Sequence, residues 1–353
     1  MCSRAVFRCF RWMERMGDKV TGAAGPVFVT LAIVLISSGV FCFFDVIQPS
    51  LRWPLLTVPI DALIAINLLG HYYLACTVSP GFVDERTPSV GSSLLWARRR
   101  ISTPPTEAQD GVRWSEDLHI TKAQMTRCRK CGVQRPEFYN PLYPFHERAH
   151  HCRVCNRCVL KYDHHCPVRI NQCVGIYNER HFVLFMAYLV LSTFCLVVLG
   201  YDKLWAAFGF HYEYWGYTTP AIMFSLIYIL SGVLCLAVGI MLSWHIWSIC
   251  HAETSVESHD HGIYRKMAKE RGQVFQNSYD LGKWKNLELF FNLGKDGYPW
   301  HTLCLPVRVM PYTDGKSWAR KPGLNSHPGV RPGDELTDED FDDYDDGDHA
   351  SDR

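Results

Sequence analysis

Long apolar runs alternate with polar stretches along this chain, and the runs predict its architecture. "PVFVTLAIVLISSGVFCFF" covers 26–44, "LLTVPIDALIAINLLGHYYLAC" 55–76, "FVLFMAYLVLSTFCLVVLGY" 182–201 and "AIMFSLIYILSGVLCLAVGIMLSW" 221–244. A helix of about 20 such residues crosses a bilayer. The second run contains Pro59 and Asp61, which weaken it. Any one run could be the core helix of a soluble protein, but four nearly uncharged runs of this length predict four transmembrane helices. The stretch from about 83 to 126 has no sustained period and is rich in polar and turn residues, so it reads as a linker.

The charges between the runs give an orientation. Arg4, Arg8, Arg11, Arg15 and Lys19 precede the first run, and Arg98, Arg99 and Arg100 follow the second. Arg265, Lys266, Lys269 and Arg271 follow the fourth, whereas the other two connections offer only Arg52 and Lys203. By the positive-inside rule both termini and the segment between spans two and three face the cytosol. The expected organisation is a cytosolic segment 1–25, spans one and two within 26–81, a cytosolic linker 82–126 and a cysteine-rich domain 127–181. Spans three and four follow within 182–249, then a cytosolic C-terminal motif region 250–295 and a variable tail 296–353.

A formal net charge of +1 gives no reason to expect a nucleic-acid partner. The last twenty residues are dominated by Asp and Glu, the composition of a solvated, disordered tail. Of 15 cysteines, seven lie between Cys128 and Cys173, interleaved with histidines. That clustering points to zinc in a reducing compartment rather than to a secreted disulfide framework.

Cys128–x2–Cys131, Cys152–x2–Cys155 and Cys155–x2–Cys158 each let two thiolates grip one tetrahedral ion. With Cys173 and nearby histidines the block holds ligands for two closed sites, which would staple a segment poor in apolar residues. Six cysteines and two histidines fill two sites, leaving one cysteine over. The surplus is best placed in "DHHC", where Asp163, His164 and His165 precede Cys166. A thiolate attacks acyl carbonyls, a neighbouring imidazole can activate it, and a carboxylate can fix that imidazole's tautomer.

The run "CRKC…RAHHCRVCNRCVLKYDHHC" resembles the cysteine-rich domain of the DHHC protein S-acyltransferases, or palmitoyltransferases. "TVSPG" (77–81) is similar to that family's Asp-Pro-Gly motif, with Ser79 replacing the Asp. "ETSVE" (253–257) is similar to its Thr-Thr-x-Glu motif, and "NSYDLGKWKNLELFFNLG" (277–294) to its C-terminal motif. The resemblance implies one zinc on Cys128, Cys131, His151 and Cys158, and a second on Cys152, Cys155, His165 and Cys173. It implies Cys166 as nucleophile, His164 as its base and Asp163 as the residue orienting His164. Thr254, Ser255 and Glu257 would support the active-site segment, and Asn286 would brace the C-terminal segment. Two departures stand out. The chain between Cys131 and His150 is about ten residues longer than the family norm, through "FYNPLYPFH", and "CPVRINQC" has Val168 and Arg169 where the family places a Trp.

The expected fold is therefore a polytopic α-helical membrane protein: four transmembrane helices, with a cytosolic zinc-stapled cysteine-rich domain between spans two and three. The implied activity is transfer of a palmitoyl group from palmitoyl-CoA to cysteine thiols of cytosol-facing protein substrates, through an acyl-enzyme on Cys166. The expected partners are the membrane, acyl-CoA and those substrates, with no nucleic acid. The expected location is an endomembrane, ER or Golgi. The Arg98–Arg100 cluster could attract CoA phosphates or simply set topology. A scaffold of the same fold is the alternative. A metal transporter is a weaker one, since Asp61 and His71 stand nearly alone as intramembrane ionisable groups.

Overall fold

The structure is a computed structural model, and it describes residues 24–86, 88, 95–98, 118–122, 124–128, 130–140, 143–146, 148–167, 170–210, 214–294 and 297–331. The basic residues before the first span, Arg99, Arg100, Val168, Arg169 and the acidic last twenty residues lie outside that set.

Four helices are long and apolar enough to cross a membrane: α1 (Ala24–Ser50), α2 (Pro54–Thr77), α3 (Glu179–Leu199) and α5 (Ala221–Cys250). Helix α1 widens into a π-helical turn at Phe43–Ile47 and tightens into a 3-10 turn at Gln48–Ser50. There Asp45 Oδ2 accepts the Thr219 N–H at 2.7 Å and ties this end of α1 to the start of α5. Helix α2 runs unbroken through Pro59. That proline stands in the second turn, so the helix forfeits only the bond to the Leu55 carbonyl. Helix α3 packs against both α2 and α5, and a short α4 (Tyr201–Ala207) follows it. Outer faces carry Leu55, Leu236 and Ile240, exposed by 95%, 72% and 74% as lipid-facing side chains are in a bare bundle.

The cysteine-rich block consists of small antiparallel hairpins: β5 (His150–Cys152) with β6 (Arg157–Val159), and β7 (His164–Cys166) with β8 (Gln172–Val174). Before them, β2 (Gln124–Arg127), β3 (Gln134–Asn140) and β4 (Tyr143–His146) form a three-stranded sheet. The described residues of the extra "FYNPLYPFH" run thus pair as strands that lengthen the sheet, with Phe138 opposite Phe145.

After the spans come α6 (Ser255–Glu270) and α7 (Lys283–Phe291). The stretch expected to be a linker contributes β1 (His119–Lys122), which pairs with β9 (Ser317–Arg320) from the region expected to be variable tail. Together with Tyr298, Met310, Tyr312 and Trp318 these segments build an apolar core beside the cysteine-rich block. Neither strand exceeds four residues, too short for alternation to mark it in a sequence.

Candidate active site

Strand geometry sorts the ligands. Successive side chains on a strand point to opposite faces, and directly paired residues share a face. In the β5–β6 hairpin His151 lies opposite Cys158, and in β7–β8 His165 lies opposite Cys173. Asn156 and Asn171 adopt left-handed backbone (φ 53° and 52°) in the turns, a conformation asparagine tolerates well. Cys128 and Cys131 complete a group with the first pair, and Cys152 and Cys155 with the second.

A tetrahedral zinc with bonds of about 2.3 Å to sulfur and about 2.0 Å to nitrogen sets S···S at about 3.8 Å and S···N at about 3.5 Å. In the first group Cys131 and Cys158 are 3.5 Å apart, and His151 Nδ1 lies 3.9 Å from Cys128 and 3.8 Å from Cys158. In the second, His165 Nδ1 lies 3.7, 3.4 and 3.5 Å from Cys152, Cys155 and Cys173. Both groups have the edge lengths of a closed Cys3His zinc site.

The same alternation turns His164 and Cys166 away from His165 and the two Cys/His groups. They face the apolar cluster of Leu68, Tyr72, Phe182 and Met186 at the top of the helix bundle. His164 Nδ1 lies 2.7 Å from Asp163 Oδ2, and the Ser255 N–H donates to Asp163 Oδ1 at 2.6 Å. Burial would raise the Asp163 pKa, but the bond from His164, the nearby His245 and the Ser255 N–H hold it well below the usual carboxylate range. Burial likewise disfavours a charged His164, yet bonds to Asp163 and Cys166 outweigh it and lift its pKa to about 9. The geometry places a proton-holding imidazole between the Asp163 carboxylate and the Cys166 sulfur, the arrangement that suits a sulfur nucleophile.

Sequence reasoning missed His245. Its Nδ1 lies 3.9 Å from Asp163 Oδ2, and Phe182 stands edge-on to both His164 and His245. His245 falls one residue beyond the fourth apolar run and belongs to no recognised motif, so only the packing reveals it.

The supporting residues converge on the same place. Thr254 and Glu257 form a reciprocal capping box at the start of α6, which aims the Ser255 N–H at Asp163. Glu257 also takes a two-pronged grip from Arg148, which stands in the quoted cysteine-rich run but was given no role there. Asn286 donates to the Cys250 carbonyl at 2.8 Å and to Asp280 at 2.7 Å, and accepts the Leu281 N–H at 3.0 Å. It thereby fixes α7 to the end of α5. Ser79 bonds to Glu85 at 2.6 Å, and Gly81 beside it has φ 97°. A Cβ at Gly81 would come within 2.8 Å of Ile176, so this turn requires glycine.

Deeper among the four spans lies a partly open apolar recess, lined by residues including Leu35, Val40, Asp61, Thr193 and Ser231. The Tyr72 and Phe185 rings, 5.0 Å apart, sit between it and the level of Cys166.

Comparison with known proteins gives a matching picture. A family model described as DHHC palmitoyltransferase matches residues 124–262. The chain is 31% identical over 343 residues to palmitoyltransferase ZDHHC16 of Mus musculus, covering 92% of this chain and 81% of that protein. It is 27% identical over 353 residues to palmitoyltransferase ZDHHC16A of Danio rerio, covering 86% and 80%. With the probable protein S-acyltransferase 14 of Arabidopsis thaliana it shares 31% identity over 267 residues, covering 73% and 76%.

Proposed function

Because the chain belongs to the DHHC palmitoyltransferase family, we propose that Cys166 carries an acyl group from palmitoyl-CoA to cysteine thiols of protein substrates. The observation carrying this reading is the 2.7 Å contact of His164 with Asp163, on a strand whose alternation puts His164 and Cys166 on one face.

In the first step the Cys166 thiolate attacks the thioester carbonyl of acyl-CoA, a C–S bond forms to Cys166, and the CoA thiolate leaves. In the second, a substrate thiol attacks the acyl-Cys166 carbonyl and Cys166 departs as thiolate. His164 takes the proton of each attacking thiol and returns it to each departing one, while Asp163 holds its tautomer and balances its charge. One thioester replaces another, so no nucleotide need be hydrolysed. The two zinc ions would act structurally: held by Cys128, Cys131, His151 and Cys158, and by Cys152, Cys155, His165 and Cys173, they fix the loops that carry the trio.

The long acyl chain gains about 0.8 kcal/mol per buried methylene. The apolar recess among the spans suits it, with the CoA head left in water. The basic residues flanking the spans support a cytosolic cysteine-rich block and cytosolic termini, in an endomembrane of ER or Golgi type. The test is CoA release from palmitoyl-CoA with a cysteine peptide as acceptor. Parallel lines in double-reciprocal plots are expected for the two-step scheme, with His164→Ala slowing both half-reactions. Intersecting lines would contradict an acyl-enzyme.

A further inference from the structure

Three polar side chains project from the apolar flanks of α2 and α3 and converge on one backbone segment near the C-terminus. Asn67 Nδ2 donates to the Cys304 carbonyl at 2.8 Å, and the Tyr188 hydroxyl donates to the Leu303 carbonyl at 2.9 Å. Arg180 Nη2 donates to the Thr302 carbonyl at 2.9 Å and to its hydroxyl at 3.1 Å. Asn67 and Arg180 are buried. The segment presses so closely on α2 that a Cβ at Gly70 would come within 2.4 Å of Pro306.

The depth of these contacts follows from helix rise. The α2 level of the cysteine-rich block is marked by Ala75, whose carbonyl accepts from Gln172 at 2.5 Å. Asn67 lies eight residues deeper, about 12 Å at about 1.5 Å per residue. On α3, Phe182 touches the His164 ring, and Tyr188 lies six residues deeper, about 9 Å. Both helices therefore put the Leu303 and Cys304 carbonyls well inside one leaflet of a core about 30 Å thick.

Backbone at that depth survives only where protein satisfies its polar groups, because lipid offers no hydrogen bonds. That requirement explains why donors sit on otherwise apolar spans here. A segment lying in water would need none of them. The outward side of the same segment presents Trp300, exposed by 68%, and Leu305, by 42%, with His301 exposed beside Trp300 where the segment enters.

We infer that Trp300–Val307 is a re-entrant loop. It enters the leaflet on the cysteine-rich side against α2 and α3, and presents Trp300 and Leu305 to phospholipid acyl chains. The loop leads directly into Val309, Met310 and Tyr312 of the apolar core beside the active site, so it joins that core to the bilayer.

The test uses the full-length protein in phospholipid nanodiscs containing an alkyne-tagged phosphatidylcholine. Benzoylphenylalanine replaces Leu305 in one variant, Leu236 on the outer face of α5 in a second, and Val274 in a third. Val274 is apolar and 83% exposed, but follows α6 outside the spans. After irradiation, lipid attached at 305 is expected to match that at 236 and to exceed that at 274 several-fold. Lipid labelling at 305 no greater than at 274 overturns the inference.

Discussion

Arg148 holds Glu257 through two hydrogen bonds, Nε to Oε1 at 2.6 Å and Nη2 to Oε2 at 2.9 Å, across 109 positions of sequence. The guanidinium also donates to the Ala252 carbonyl at 3.0 Å and lies between the rings of Tyr279 and Trp318, at 4.5 and 4.6 Å. Glu257 is the partner of Thr254 in the capping box of α6, and α6 begins with the Ser255 N–H that binds Asp163. One buried ion pair thus links the cysteine-rich block, the C-terminal core and the carboxylate of Asp163 that bonds to His164.

Breaking this pair leaves an uncompensated charge, which costs about 3–5 kcal/mol in a buried setting. Arg148→Ala should lower unfolding stability by that order in denaturant titrations, and Glu257→Gln by less, since the amide still accepts hydrogen bonds. The double variant should lose clearly less than the sum of the two. Additive losses would show that the residues do not act as a pair.

Metal content would separate the cysteines proposed to hold zinc from the one proposed to react. Cys128→Ala and Cys152→Ala should each lower bound zinc from about two ions per chain toward one and reduce stability, because ligand loss opens a closed site. Cys166→Ala should keep both ions. Elemental analysis of the purified proteins decides it, and loss of an ion in Cys166→Ala would mean the ligands are divided differently.

Asp61 marks the far end of the recess, and its Oδ2 is buried without a hydrogen-bond partner in the structure. It stands fourteen residues along α2 from Ala75, about 21 Å. An extended sixteen-carbon chain with bonds of about 1.5 Å is about 19 Å long, so further carbons would meet the carboxyl. Asp61→Leu should raise the use of stearoyl-CoA over palmitoyl-CoA by about fourfold per methylene accommodated, from about 0.8 kcal/mol each. Competition between the two donors measures it, and an unchanged ratio would place the end of the chain elsewhere.

Asp260 gives a dependence of stability on pH. Burial pushes its carboxyl up to about 6, against the pull of His150 on β5 and of His261 and His259 on α6, with Glu257 adding to the rise. A carboxyl whose folded pKa is raised stabilises the protein below its unfolded value near 4, and that contribution is lost as pH climbs through about 6. Asp260→Asn should therefore be more stable than the parent at pH 7.5, by of order 1 kcal/mol, with the difference shrinking toward pH 5. Denaturation at the two pH values tests it, and a variant less stable at pH 7.5 would contradict the sign.

The spans were legible in the sequence because a membrane helix is a long, local, compositional signal. Helix α2 survived Pro59 because that proline falls near its start. The Cys/His groups were legible as clusters, but spacing alone could not put His151 with Cys158 or His165 with Cys173. That pairing depends on which residues face each other across hairpins of three-residue strands. The roles of Arg148, His245 and the donors Asn67 and Arg180 were not legible, because each acts through a partner far away in sequence. The strands β1 and β9 stayed hidden for the same reason, since His119 finds Arg320 only once the chain has returned to the cysteine-rich block.

The most direct test is self-acylation of the full-length protein with an alkyne-tagged palmitoyl-CoA, followed by hydroxylamine. The parent protein should carry a hydroxylamine-labile label, Cys166→Ala should carry none while retaining two zinc ions, and His164→Ala should label much more slowly. An undiminished label in Cys166→Ala, or no label on zinc-loaded parent protein, would contradict Cys166 as the acyl carrier.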